Sequence, residues 1–288
     1  MVPGSPPDAA HASGTSYVVQ LADDDAVHVT EWDLSTGTTL HDTKLDLPAW
    51  NLRMLDPDRS VRIMASEYNG RLFFVQLARS LQVVTRQELG SVSVLGPNAF
   101  AGDEGVAAIL AHGTPDGMDG PLGIFAMTFD ASGKRIAKRM LEPHDEDGGT
   151  SSPMMNDNLA VLDGHVYVAL VDAAYRLRVL RLTRDLRTER EKRLPIPASF
   201  NNPQAKLLVL DGHLVLDLPD SLDLLELPLD LDLAHLTHRP RPAPLPPFPG
   251  DGDAGGERCG PPHRFASELL ALCNCGKQTC LSWAPLPP

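Results

Sequence analysis

Leu159-Ala160-Val161-Leu162-Asp163-Gly164-His165 and Leu207-Leu208-Val209-Leu210-Asp211-Gly212-His213 agree at six of seven positions. Each reads as a strand, a tight Asp-Gly turn and the start of a second strand. Asp and Gly both tolerate the positive φ that a two-residue hairpin demands. Outward from this pair, the strand that follows the turn has counterparts along the chain. They begin at Tyr17, Val61, Val106, Val166, Leu214 and Leu269, so the unit returns at comparable intervals. Repetition with a period on the order of 50 residues marks a radial or stacked array of small sheets.

The connecting residues fit this reading. Asn69-Gly70 separates Val61–Tyr68 from Arg71–Leu77 and is a strong hairpin signal. Trp32-Asp33-Leu34-Ser35-Thr36-Gly37 is matched by Phe129-Asp130-Ala131-Ser132-Gly133. There the ring anchors a strand end, Asp and Ser bond turn amides, and Gly supplies positive φ. Apolar residues alternate with polar ones with period two, and Leu227–Leu233 alternates without a break, which predicts a strand. No segment holds a helical period for more than two turns. The two longest intervals contain Gly113–Gly120 with His144–Pro153, and the Pro/Gly-rich stretch 239–257, all of loop composition.

The expected fold is therefore all-β, a propeller of six blades with the last incomplete; five blades plus an appended hairpin is the alternative. Residues 1–15 read as a flexible leader and 16–288 as one propeller domain with an insertion at 239–257. The two turn phrases and the Leu-Asp-Gly-His pair resemble those of bacterial β-propeller repeat proteins, over roughly residues 16 to 286. The repeated Gly-His and Trp-Asp pairing of WD40 blades and the kelch double glycine are not found. The resemblance implies a ring of sheets whose loops surround a central channel, and binding or scaffolding as the occupation.

Composition narrows the partners. The 288 residues carry a formal net charge of −13, a field that repels nucleic acid and anionic lipid. One run opposes it: between Tyr175 and Arg193, seven Arg and one Lys face three acids. It reads as a solvated outer strand, charged so that its edge does not pair with other chains, or else as a dock for an acidic partner. No apolar run approaches the length of a membrane helix.

The four cysteines cluster near the C-terminal end, at Cys259, Cys273, Cys275 and Cys280. A four-residue loop would set Cys275 opposite Cys280, leaving Cys259 for Cys273, so two disulfides would staple the final blade. A Cys₄ zinc site fits the spacing poorly, and free thiols are the third reading. His165 and His213 repeat at equivalent strand starts, which suggests a structural role. His235 and His238 would fall on opposite faces of a strand and so share no metal.

Acidic turns at Asp23–Asp25, Asp145–Asp147 and Asp251–Asp253 carry the oxygen ligands calcium prefers, without completing a calcium-loop pattern. The sequence holds no nucleophile elbow, phosphate loop, zinc-protease helix or dinucleotide loop. No catalytic residue is assigned. The expected function is a non-enzymatic binding or scaffold module for a protein or glycan, placed outside the cell, in the periplasm or at the surface; a lipoprotein with its signal removed is one reading of the leader, a disordered cytosolic start the other. The alternatives are a propeller hydrolase or lyase acting on a glycan or small polar substrate in the channel, and a subunit of a larger assembly.

Overall fold

A computed structural model describes residues 8–12, 15–21, 27–33, 36, 38–47, 51–55, 61–67, 70–91, 93–94, 99–103, 105–114, 122–143, 158–171, 176–195, 206–210, 212–217, 223–232, 236–240, 263–265, 268–275 and 278–285. The strands within 8–21 and 263–285 are described by their backbone alone. The chain divides into two compact units, Met1–Pro240 and Arg241–Pro288.

In the first unit the described strands fall into five antiparallel sheets, each following the chain from its inner to its outer strand. The first sheet holds β1 (Asp8–Ala12), β2 (Thr15–Leu21), β3 (Val27–Asp33) and β4 (Thr38–Leu45). The second holds β5 (Asn51–Leu55), β6 (Val61–Ser66), β7 (Arg71–Leu77) and β8 (Val83–Ser91). The third holds the short β9 (Ser93–Val94), then β10 (Ala99–Gly102), β11 (Val106–Thr114), β12 (Gly123–Asp130) and β13 (Arg135–Pro143). The fourth runs β14 (Leu159–Leu162), β15 (His165–Val171), β16 (Arg176–Leu182) and β17 (Thr188–Pro195). The fifth runs β18 (Lys206–Leu210), β19 (His213–Asp217), β20 (Asp223–Leu227) and β21 (Thr237–Pro240). The second unit has one three-stranded sheet among its described residues, β22 (His263–Phe265), β23 (Glu268–Cys275) and β24 (Gln278–Pro285).

All six strands expected to stand second in their sheets do so, as β2, β6, β11, β15, β19 and β23. Two expectations are corrected. Asp8–Ala12, read as part of a flexible leader, pairs along its whole length with Thr15–Val19. Its alternation is weak because alanine is a small apolar residue, yet an edge strand needs only its backbone to pair. The supposed strand Leu227–Leu233 stops at Leu227. Pro228 has no amide to give a ladder, and residues 228–232 form a turn in which Leu231 has φ of 55°.

Side-chain alternation explains how the five sheets hold together. In β11, Val106, Ala108 and Leu110 pack against the fourth sheet, while Ala107, Ile109 and Ala111 pack against the second. In β15, Val166, Val168 and Leu170 face the third sheet, and Tyr167 and Ala169 the fifth. In β6, Val61, Ile63 and Ala65 face the first sheet, and Met64 the third. Inner strands are thus apolar on both faces, which gives continuous runs such as Val106–Ala111 rather than alternation. Fourth strands have one neighbour less. Most of Thr38–Lys44 and all of Thr188–Arg193 are exposed.

A turn between third and fourth strands recurs with an anchor of its own. Leu81, Leu186 and Leu231 have φ of 57°, 63° and 55°, and each is fully buried. Their amides donate to the carbonyls of Ala78, Thr183 and Pro228, three residues back. Each leucine enters the core shared with the preceding sheet. Left-handed φ strains a leucine by about 1–2 kcal/mol, and burial in that core outweighs it. In the third sheet the position is Gly133, with φ of 84° and the same bond, from its amide to Asp130 O. A Cβ there would lie 2.7 Å from Phe74 Cδ1, because Phe74 of the second sheet occupies the space a leucine fills elsewhere.

This arrangement predicts an inverted order of substitutions. Leu186→Ala should cost about 2–5 kcal/mol through the cavity it opens. Leu186→Gly should cost about 1 kcal/mol less, since glycine adopts the left-handed conformation freely. Urea unfolding midpoints read both. A glycine variant no more stable than the alanine variant would remove the backbone from this account.

Candidate binding face

Connections from first to second strand and from third to fourth leave one end of each sheet; the remaining connections leave the other. Cross-sheet hydrogen bonds align these ends across the second to fifth sheets. Asp103, after β10, is the central group. Its Oδ1 accepts from the amides of Gly105 and Val106, each at 2.9 Å. Its Oδ2 accepts from the Gly164 amide at 2.9 Å, and its carbonyl accepts from Arg62 Nη2. One residue between β10 and β11 therefore joins three consecutive sheets. The Asp163-Gly164 turn has φ of 51° and 70°, which its residue types accommodate, and presents the Gly164 amide to this node.

Further ties at the same end involve Arg139 and residues of the basic run. Arg139 Nη1 donates to Leu186 O at 2.7 Å and to Thr188 Oγ1 at 2.9 Å. Thr128 Oγ1 donates to Arg184 O at 2.6 Å. Arg181 Nη1 donates to Leu229 O at 2.9 Å, and Tyr167 donates its hydroxyl to the same carbonyl at 3.2 Å. Burial pushes the Tyr167 phenol up, so it stays protonated and a donor. Arg181 also bonds His165 Nε2 at 2.9 Å and Glu189 at 3.1 Å. Nearer the middle of the strands, Arg178 is held between Glu142 of the neighbouring sheet and Glu191 of its own. Burial works against the Glu191 carboxylate; Arg178 and then Arg193 outweigh it and hold it below the usual carboxylate range.

The solvated outer strand expected from the basic run is present in Thr188–Arg193, whereas Arg178 and Arg181 lock adjacent sheets together. Sequence reading missed these ties, since an acceptor as remote in the chain as Leu229 O is from Arg181 leaves no pattern. His165 sits at a strand start, its Nδ1 2.9 Å from Asp163 O. His213, at the equivalent place, pairs with Glu226 at 2.7 Å.

The aromatic-Asp-x-Ser-Gly phrase behaves as its residues imply. Asp130 Oδ1 accepts from the Ser132 hydroxyl at 2.6 Å and from the amides of Ser132 and Lys134 at 2.9 and 3.0 Å. The hydroxyl bond is the chief reason its carboxyl lies below the ordinary aspartate range; desolvation opposes it, and the two amides and the Lys134 charge assist.

The opposite end differs. Ser66 closes β6, His112 and Thr114 close β11, and Asn158 stands directly before β14; all four are buried. Ser66 Oγ, Thr114 Oγ1 and Asn158 Oδ1 have no hydrogen-bond partner among the described residues. Buried polar atoms of this kind normally meet a partner. The connections attached here include 115–122, 144–158 and 196–205; the last two are longer than any at the turn end, where 228–236 is the longest.

The acidic turns proposed for calcium, residues 23–25, 145–147 and 251–253, lie outside the described residues, as do Cys259 and His235. Among the described residues, no three His, Cys, Asp or Glu gather closely enough to hold a metal. Cys273 and Cys275 lie on β23 and Cys280 on β24. The four-residue loop is corrected: only 276 and 277 separate the strands, so Cys275 pairs with Gln278 and Cys273 with Cys280. Gly276 is the residue type that a two-residue connection admits at its first central position. Among the described residues no helix is long and apolar enough to cross a membrane.

No protein-family model matches the sequence, and no curated protein matches it. Solved structures do match. Hydrazine synthase from Kuenenia stuttgartiensis superposes with a TM-score of 0.52 at 12% identity, over 98% of this chain and 84% of that one. The Dos1 propeller gives 0.50 at 9% identity, over 97% of this chain and 67% of that one. Identities this low speak for the fold alone. With the repeated four-stranded sheets, they define a β-propeller repeat protein, and the sheets are its blades.

Two expectations follow for the turn end. Asp103→Ala leaves three amides without their acceptor and should destabilise the first unit by about 1–3 kcal/mol. A loss below about 0.5 kcal/mol in chemical unfolding would show that the node is dispensable. Asp130 has its folded-state pKa lowered, so its stabilisation is present above the ordinary aspartate pKa and fades as pH falls through the folded value. Acid unfolding followed by circular dichroism should thus show a shallower pH slope below about pH 4 in Asp130→Asn than in the parent.

Proposed function

We propose that this β-propeller is a non-enzymatic binding or scaffold module that engages a protein partner through the end carrying its longer connections. The asymmetry of the two ends supports this reading above all else. At one end short turns bond to each other through Asp103, Arg181 and Arg139. The other end carries the connections 115–122, 144–158 and 196–205, with buried Ser66, Thr114 and Asn158 at their base. Loops on a rigid frame are where recognition is usually built, because the scaffold bears the ordering cost. Propeller domains commonly mediate protein interactions, in keeping with such a role.

A photo-crosslinking residue placed at 117, 147 or 200 should capture a partner, identifiable by mass spectrometry, that the same residue at 80 or 230 does not. With that partner purified, replacing 145–150 by a Gly-Ser segment should weaken Kd by about tenfold or more, whereas Asp230→Arg should change it by less than about twofold. Equal capture at both ends, or unaltered affinity after the loop replacement, would overturn the assignment.

A further inference from the structure

We propose that Cys273 and Cys280 are joined by a cross-strand disulfide, and that Cys275 takes no part in it. The backbone register of β23 and β24 makes Cys273 and Cys280 directly opposed partners. Directly opposed residues on antiparallel strands have Cα atoms about 4.5–5.5 Å apart, whichever of the two alternating pair types they form. Disulfides span Cα separations of about 4.4–6.8 Å. Cys275 is opposite Gln278 and only diagonal to Cys280. Diagonal neighbours stand about 7–8 Å apart, beyond what a disulfide bridges without backbone movement.

The reaction is an exchange with a disulfide oxidant, either an oxidised protein dithiol or an oxidised low-molecular-weight thiol. Two S–H bonds of the protein break and one S–S bond forms. Two electrons and two protons pass to the oxidant, whose own S–S bond becomes two thiols. The loop so closed is short, and a short loop restrains little of the unfolded chain. Its effect falls on register. A slip of one residue would exchange the faces of the hairpin, and a bond between Cys273 and Cys280 forbids it. That matters in a sheet of three strands, where β24 has only β23 beside it among the described residues. A stable bond of this kind belongs to an oxidising compartment.

Trypsin separates the candidates. Cleavage after Arg258, Arg264 and Lys277 places Cys259, the pair Cys273 and Cys275, and Cys280 in three different peptides. The full-length protein, produced by secretion, has its thiols blocked during denaturation and is digested without reduction. The expected product is Phe265–Lys277 linked to Gln278–Pro288, two hydrogen masses below the sum of the separate peptides. Electron-transfer fragments between Cys273 and Cys275 should assign the link to Cys273. Linkage should persist in Cys275→Ser and be lost in Cys273→Ser. A link at Cys275, a disulfide within Phe265–Lys277, a bond from Cys280 to Cys259, or four blocked thiols would each overturn the proposal.

Discussion

The constraint on which the first unit depends is that the second strands of its second, third and fourth sheets have no solvent face. A strand such as Val106–Thr114 lies between two neighbouring blades and must satisfy both with alternate side chains. Its even and odd residues enter different cores, so each blade is welded to the next by the strand that also holds its own sheet together. This is why alanine is prominent there: Ala107, Ala108 and Ala111 let the flanking sheets approach, while Phe125 and Phe129 on the next strand fill the wider gap toward the second blade. The fourth strands have no such obligation and are given over to charge.

Charge and turn geometry complete what apolar packing begins. The buried leucines at positive φ anchor the outer turns of the second, fourth and fifth blades in the core of the preceding blade, and Asp103 ties three blades through one carboxylate and one carbonyl. The arginines of the third and fourth blades extend this outward, reaching carbonyls and carboxylates across the blade boundaries. All of these hydrogen bonds except the Arg178 pairs concentrate at the end with short turns. Antiparallel strands return every second connection to the same side, which is why the mutually bonded short turns gather at one end.

Much of this was legible in the chain. Six second strands, the Asp-Gly hairpins and the aromatic-Asp-x-Ser-Gly turn each rest on local chemistry that a few adjacent residues contain. Other features were not. Asp8–Ala12 pairs through its backbone, which no side-chain pattern announces. Leu227–Leu233 alternates as a strand would, yet Leu231 is turned into the core of the preceding blade. Cys273 and Cys280 oppose each other because the hairpin closes with two residues instead of four, a choice between turns that the cysteine spacing alone leaves open. The candidate binding face was legible only as a rim of loops; the buried Ser66, Thr114 and Asn158 that mark one end became visible through burial.

The sequence by itself determined the periodic all-β plan, the strands at its centre and the turns that need Gly or Asp, since these depend on interactions within a few residues. Only the tertiary structure decided which face of each inner strand meets which neighbour, why Gly133 replaces a leucine where Phe74 intrudes, and which cysteines share a register. Those outcomes depend on groups far apart in the chain competing for the same volume or the same hydrogen bond, and such competition is resolved only when the sheets are packed together.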